Sequence, residues 1–380
     1  MGGHREQSVM LTAFLIATSL QLFFWGYFLQ GAIKENLPLL AKDNQQAPVS
    51  VIVCFRNEEL TLGACLGSIL KQEFSSAFEV LAVDDNSTDG SAAVVKRLAA
   101  QNPRLRLLTP GPTRPGKKDA LTFGIQNAQH EHLLLTDADC TAATNKWLSL
   151  MTAPLRQGTE VALGIGLYTT VAKNELSLWQ SFEAKYVLLK YMGFAQRGLP
   201  YMGVGRNLAY TKTFFYKAGG LEAHADLPGG DDDLLIGSAA LPQATVRVTH
   251  PDSVTLSAPA MAWSEFLRQR MRHQSVGFRY RPIHQLLLGL LALSHGLFFL
   301  LGFYLLFTPC RWVALAIYGL RFLLVHPTFK QVYSVGAAAG ARESLKEQTL
   351  PVGRHIAFDA MLALFYLFLA VVGLVPAKRW

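Results

Sequence analysis

Two carboxylates, Asp137 and Asp139, close the apolar run His132-Leu133-Leu134-Leu135-Thr136. Such a run predicts a buried strand, and acids at its end lie at the C-terminal edge of a sheet, where α/β proteins bind ligands. Side chains at i and i+2 of a strand point the same way, so both can converge on one divalent cation, which can neutralise a diphosphate. Five further clusters could act with them. Arg56-Asn57-Glu58-Glu59 follows an earlier apolar run and lies where a nucleotide would sit over the sheet edge; as a purely local feature it is a polar helix start capped by Asn57. Asp84 and Asp85 close another run and can accept from a base imide or a ribose hydroxyl, whereas Asp89-Gly90 reads as a helix-capping turn. Gly116-Lys117-Lys118 opens a helix and suits an anionic group, without the spacing of a Walker loop. Asp231-Asp232-Asp233 follows Gly229-Gly230; three adjacent acids repel, so one needs a raised pKa or a cationic partner and can serve as general base toward an acceptor hydroxyl. Gln269-Arg270-Met271-Arg272-His273 lies on an amphipathic stretch, where Arg272 can clamp a departing diphosphate.

The elements that must position these groups are legible as strand–helix alternation. Strands are expected at 49–54, 78–83, 105–108 and 133–135, and helices at 60–70, 91–100 and 120–128. That order predicts an α/β domain with a mostly parallel sheet, helices on both faces, over residues 47–260. Residues 261–283 form a basic amphipathic segment.

The remainder is apolar. The chain has 380 residues, is 51% hydrophobic and carries a net charge of +8, with a mean hydropathy of +0.23, high for a wholly soluble protein. No Asp, Glu, Lys or Arg occurs between Glu6 and Lys34, so residues 1–46 read as an uncleaved membrane anchor; no clear small-x-small site marks it as a signal peptide. Within residues 284–380 two further stretches, ending near Cys310 and Ala377, look transmembrane. A third, from Trp312 to Val325, contains Arg321 and fits a tilted span, a re-entrant piece or an interfacial helix. Arg268, Arg270, Arg272, Arg279 and Arg281 flank the second apolar stretch and mark a cytoplasmic side; Lys330, Arg342, Lys346 and Arg354 fit that side if the third stretch crosses, and Lys378-Arg379 then falls opposite. The four cysteines form no C-x-x-C pair, which argues against a zinc site or a disulfide framework.

Taken in order, N-E-E, D-D-x-S-x-D, G-K-x-x-A-L, D-x-D, G-x-x-x-N-x-A-Y (Gly203 to Tyr210), the acidic triplet and Q-x-x-R resemble the family 2 glycosyltransferases, which include membrane-bound polysaccharide synthases and ceramide glucosyltransferases. The resemblance implies a GT-A fold, an inverting reaction, a nucleotide-sugar donor (a UDP-sugar by preference), Mg2+ or Mn2+, and a cell-membrane enzyme with a cytoplasmic catalytic domain. It implies that Arg56 and Glu58 border the nucleoside, Asp84 and Asp85 the base and ribose, and Lys117 the nucleotide. Asp137 and Asp139 would hold diphosphate and metal, Asp232 (or, by a one-position slip, Asp231) would be the base, and Gln269 and Arg272 would lie near acceptor and diphosphate. Cys54 stands where many members have Pro, Phe55-Arg56 replaces Thr-Tyr, and His273 replaces the Trp of Q-x-x-R-W. An imidazole stacks less well on a sugar, which favours transfer of one or a few sugars to a membrane lipid or glycan in cell-envelope synthesis over processive polymerisation. A non-catalytic scaffold that retains donor binding is the alternative from another class, disfavoured by the intact acidic motifs. A sugar nucleotidyltransferase would need a glycine- and Lys/Arg-rich loop after the first strand, and nothing points to nucleic acid.

Overall fold

The computed structural model describes residues 2–34, 46–114, 116–169, 174–227, 229–338 and 350–373. Arg342, Lys346, Lys378 and Arg379, which bear on topology, lie outside the described residues.

α1 (Gly2–Phe23) runs into a π-helical segment, Phe24–Leu29. The α/β region follows as β1 (Val49–Phe55), α2 (Leu62–Leu70), β2 (Phe78–Asp84), α3 (Ser91–Ala99), β3 (Leu105–Leu108), α4 (Lys118–Asn127) and β4 (His132–Asp137). β1, β2, β3 and β4 are mutually parallel, as the strand–helix alternation predicts. Both faces of the sheet are covered, so the strands read as nearly unbroken apolar runs. Val49, Val51 and Val53 face α2 and α3, while Ile52, Leu81, Val83, Leu133 and Leu135 pack in the core on the opposite face, with α4.

Beyond β4 come β5 (Cys140–Ala142), α5 (Trp147–Thr152), β6 (Val161–Leu163), β7 (Gly166–Tyr168), α6 (Glu175–Gln196), β8 (Leu208–Thr211), α7 (Lys212–Lys217), α8 (Asp233–Ala239), β9 (Thr245–Arg247) and β10 (Thr255–Ser257). The seven-stranded order is β3-β2-β1-β4-β8-β6-β9, with β8 antiparallel to both β4 and β6; β5, β10 and β7 form a small second sheet. α6 is buried almost all round. It lies against the π segment so closely that a side chain at Gly193 would come within 2.3 Å of the Phe28 carbonyl oxygen.

The C-terminal part is helical: α9 (Trp263–Gly277), α10 (Pro282–Leu305), α11 (Arg311–Ala338) and α12 (Val352–Gly373). Among the described residues four helical segments, 5–29, 282–305, 311–335 and 352–371, are long and apolar enough to cross a membrane. The stretch whose form the sequence left open lies in one continuous 28-residue helix that contains Pro327. Its Arg321 is buried but not isolated. It pairs with Asp359 of α12, its Nε and Nη2 donate to Gln21 Oε1 of α1 at 3.2 and 3.1 Å, and His295 Nε2 of α10 lies 3.0 Å from the same Asp359. Gln21 Nε2 donates onward to Ser294 Oγ at 2.9 Å. A buried charge is tolerated only when paired and hydrogen-bonded, and this cluster supplies those partners from all four helices.

Candidate active site

The loop after β1 and the loop after β2 are built as one unit. Asn57 adopts a left-handed φ of 58°, and its Oδ1 accepts from the Thr88 N–H at 2.7 Å, while the Glu58 N–H donates to Ser91 Oγ at 2.8 Å. Glu59 and Asp89 complete the joint: Glu59 Oε2 accepts from the Gly90 N–H at 3.0 Å, and Asp89 Oδ2 from the Glu59 N–H at 3.2 Å. Asn57 is therefore a cross-link between loops rather than the cap of α2, whose N-cap is Thr61. Asp84 Oδ1 accepts from the Ser87 N–H at 2.8 Å, and Asp85 Oδ1 from Thr113 Oγ1 at 2.5 Å. Both acids are buried in the loop framework, one strand away from the cavity that Arg56 and Glu58 line.

That cavity, about 850 Å³, gathers Arg56, Glu58, Lys117, Asp137, Asp139, Asp231, Asp232, Gln269 and Arg272. Asp137 is the last residue of β4, and Asp139 falls in the turn after it, so strand alternation does not align the two. The turn does: ligand atoms of Asp137, Asp139 and Cys140 lie within 4.8 Å of one another. Two carboxylates are the oxygen donors a hard divalent cation takes. The Cys140 thiol is buried and its pKa is pushed well up by that burial and by Asp139 and Asp137, so it stays a neutral wall of the site. Desolvation and the neighbouring Asp137 raise the pKa of Asp139, and a bound cation would reverse that. These residues fit Mg2+ or Mn2+.

Lys117 ties the cation site to the acidic triplet. Its Nζ lies 2.8 Å from Asp137 Oδ1 and 2.9 Å from Asp231 Oδ2. Its pKa is held well above the usual value: burial opposes the charge, but Asp137, Asp231 and Asp232 outweigh it. Asp137 is held below the usual carboxylate range by Lys117, aided by Arg206 and Arg272, against its own burial. Gly230, at φ +85°, turns the chain into the triplet, a left-handed conformation that glycine adopts without penalty. Asp232 then caps α8, its Oδ1 accepting from the Asp233 N–H at 2.9 Å and its Oδ2 from the Gly205 N–H at 2.5 Å. Burial and the Asp231 charge raise the Asp232 pKa to about 6 despite Lys117. Asp233 takes a hydrogen bond from the Tyr280 hydroxyl at 3.2 Å, and burial drives its pKa well up. Lys118 does not face the cavity centre: its Nζ donates to the carbonyls of His224 and Leu227 and so anchors the turn that leads to the triplet.

Sequence reasoning missed Arg206 and Glu183. Arg206 lies in the Gly203–Tyr210 motif. Its Nη1 donates to Ser257 Oγ at 3.0 Å, its guanidinium covers the Tyr168 ring at 4.8 Å, and its charge acts on both Asp137 and Asp139. Asn207 fixes this loop: Nδ2 donates to the Ile165 and Ser253 carbonyls at 2.9 and 2.7 Å, and Oδ1 accepts from Trp147 Nε1 at 2.9 Å. Glu183 of α6 is buried and pairs with Arg270 at 2.9 Å.

Residues 50–217 match the family model described as glycosyl transferase family 2. The chain carries a family 2 glycosyltransferase domain. Relatives of this domain include a beta-monoglucosyldiacylglycerol synthase of Synechocystis, 28% identical over 160 residues, covering 36% of this chain and 33% of that protein. An N-acetylglucosaminyltransferase of Rhizobium sp. is 29% identical over 34% of this chain and 28% of its own. The alignments thus span about a third of the length of these curated relatives. Across nearly the whole chain the fold is similar to that of a mannosyltransferase from Pyrobaculum calidifontis solved with GDP-Man and Mn2+, with a TM-score of 0.61 at 18% identity, covering 98% of this chain and 99% of the other. The family 2 domain thus sits in a GT-A fold.

Proposed function

We propose that this chain is an inverting, metal-dependent glycosyltransferase that moves a sugar from a nucleotide-sugar donor, preferentially a UDP-sugar, to a lipid or glycan acceptor at the membrane. The observation that carries the reading is the convergence of Asp137, Asp139, Lys117, Asp232 and Arg272 on one cavity whose far wall belongs to helices apolar enough to span a bilayer. The four apolar helices are then membrane spans, and the arginines preceding α10 put the catalytic domain on the cytoplasmic side.

In this reading Asp232 is the general base. A pKa near 6 leaves the carboxylate ionised at neutral pH yet basic enough to receive a proton in the transition state. Asp231 is committed to Lys117 and suits the role less well. As Asp232 takes the proton from the acceptor hydroxyl, the oxygen forms its bond to the anomeric carbon. The bond to the nucleoside diphosphate breaks on the opposite face, and the diphosphate leaves with the electron pair. Arg272 and Lys117 face the charge that develops on it. Bound at Asp137 and Asp139, Mg2+ or Mn2+ would add positive charge against the same leaving group. Arg56 and Glu58 border the nucleoside, and Asp84 and Asp85 its base and ribose.

The test is transfer by the detergent-purified chain from a panel of labelled UDP- and GDP-sugars to extracted membrane lipids, with lipid-linked and polymeric products separated. Label in a short, lipid-extractable product is expected. A long polymer would replace single transfer with processive synthesis, and binding of donor without any turnover would leave only the scaffold reading.

A further inference from the structure

The cavity does not end at the carboxylates. It continues past α6 and α9 to a wall of Leu288, Leu291 and Ala292 from α10 and Leu367 and Ala370 from α12. Lys190 marks the change from polar to apolar. Its ammonium lies 4.7 Å from the centre of the Tyr186 ring and 4.4 Å from that of Tyr366, and donates to the Tyr366 hydroxyl at 3.3 Å. Aromatic faces hold a cation in place without neutralising it.

The charges around it are otherwise accounted for. Arg270 is paired with Glu183, whose second oxygen accepts from the Tyr366 hydroxyl at 2.9 Å. His273 is pushed down to about 3, by burial first and then by Arg270 and Arg272, and is neutral. Burial lowers Lys190 itself to about 8, against the pull of Glu183, so it remains mostly charged at neutral pH. Among the described residues no carboxylate comes within ion-pair distance of it. One uncompensated, half-buried positive charge thus stands where an apolar channel opens into a polar site, and a charge partly withdrawn from water favours a partner of opposite sign.

We propose that this part of the cavity receives a membrane lipid whose head group carries a singly charged phosphodiester and a free hydroxyl, with the phosphate on Lys190, the hydrocarbon chains between α10 and α12, and the hydroxyl toward Asp232. The proposal rests on the glycosyl-transfer reading and names the acceptor class. A phosphodiester matches the single ammonium, whereas a phosphomonoester brings up to two charges against one. A neutral lipid would cover Lys190 without supplying a counter-charge.

The test is equilibrium binding of fluorescent phosphatidylglycerol to the full chain in neutral detergent, with UDP binding measured on the same preparation. Unlabelled phosphatidylglycerol is expected to displace the probe at least tenfold more effectively than diacylglycerol with the same chains, and soluble glycerol phosphate to displace it poorly. Lys190→Gln is expected to weaken binding at least tenfold and Lys190→Arg to preserve it, each variant melting close to the parent. Equal displacement by diacylglycerol, or unchanged binding by Lys190→Gln, overturns the phosphate site; full displacement by glycerol phosphate overturns the lipid assignment. Should Lys190→Gln fail to fold, the comparison of lipids on the parent chain decides alone. Selective lipid binding without any nucleotide-sugar turnover would refute the transfer reading while upholding this site, and turnover onto diacylglycerol alone would do the reverse.

Discussion

Substituting Gly205 by alanine tests the proposed base at a single methyl group. Gly205 is not in the left-handed region, so its backbone accepts alanine. The space does not. The new carbon would lie 2.9 Å from Lys117 Nζ, 3.2 Å from Asp232 Oδ2 and 3.6 Å from Asp137 Oδ1. The ammonium on its flexible stem yields first, and the 2.5 Å hydrogen bond from the Gly205 N–H to Asp232 loosens with it. Both effects stabilise the ionised form of Asp232, so losing them raises its pKa from about 6. A hydrogen bond to a charged group is worth about 1.5–3 kcal/mol, and about 1.4 kcal/mol corresponds to one pKa unit. A loss of roughly half to all of the smaller figure puts the pKa near 7. At pH 7 the ionised fraction then falls from about nine-tenths to about half, and it recovers by pH 8. The assay is kcat/KM for the acceptor against pH at saturating Mn2+, which reports groups of the free enzyme. The acid limb is expected to move up by about one unit. Melting should change little, because alanine recovers about 0.4–1 kcal/mol of chain entropy where its backbone fits. An acid limb that stays in place, in a variant that melts normally, would refute the assignment of that limb to Asp232.

Three further outcomes are expected. Asp232→Asn should abolish transfer while UDP binding, followed by calorimetry, survives; unchanged turnover would remove Asp232 as the base. Chelation should stop transfer and added Mg2+ or Mn2+ restore it, with Asp139→Asn needing at least tenfold more metal for half-maximal activity; full activity in chelator sinks the metal role. Asp359→Asn strips Arg321 and His295 of their carboxylate, and breaking a buried pair costs about 3–5 kcal/mol. A variant that melts with the parent would show that the cluster does not hold the helices.

The parallel half of the sheet was readable because β1, β2 and β4 are largely apolar runs, with β2 and β4 ending in acids at the ligand edge and β1 leading into the polar Arg56–Glu59 loop. The second half was not. β6, β7, β9 and β10 are three residues long, too short for a period to show, and β8 pairs antiparallel through contacts far apart in sequence. α6 carries no apolar stripe because it is buried on every side, which hid both the helix and its charged residues. Glu183 and Lys190, seven positions apart among apolar neighbours, were the available signal: a charge retained in such a setting marks an interior partner. Arg206 was inside a recognised motif, but its reach to Asp137 and Asp139 depends on how the loop is pinned by Asn207. Asp84 and Asp85 show the opposite limit. Their types suit ligand recognition, yet their hydrogen-bonding capacity is partly taken up by Ser87 and Thr113.

The bond between Gln21 and Arg321 joins positions 300 apart in the chain. At about 5–20 residues per second a ribosome makes Gln21 roughly 15–60 s before Arg321, and the α/β region folds in the interval, since domains generally fold as units from the N-terminus. During that wait Gln21 has no guanidinium, and after α11 emerges Arg321 has no carboxylate until Asp359 follows. Maturation of the helical layer is therefore a late step, completed only with α12. Premature termination after α11 would leave an intact catalytic domain attached to a layer with an unneutralised charge, the kind of nascent product that quality-control proteases remove.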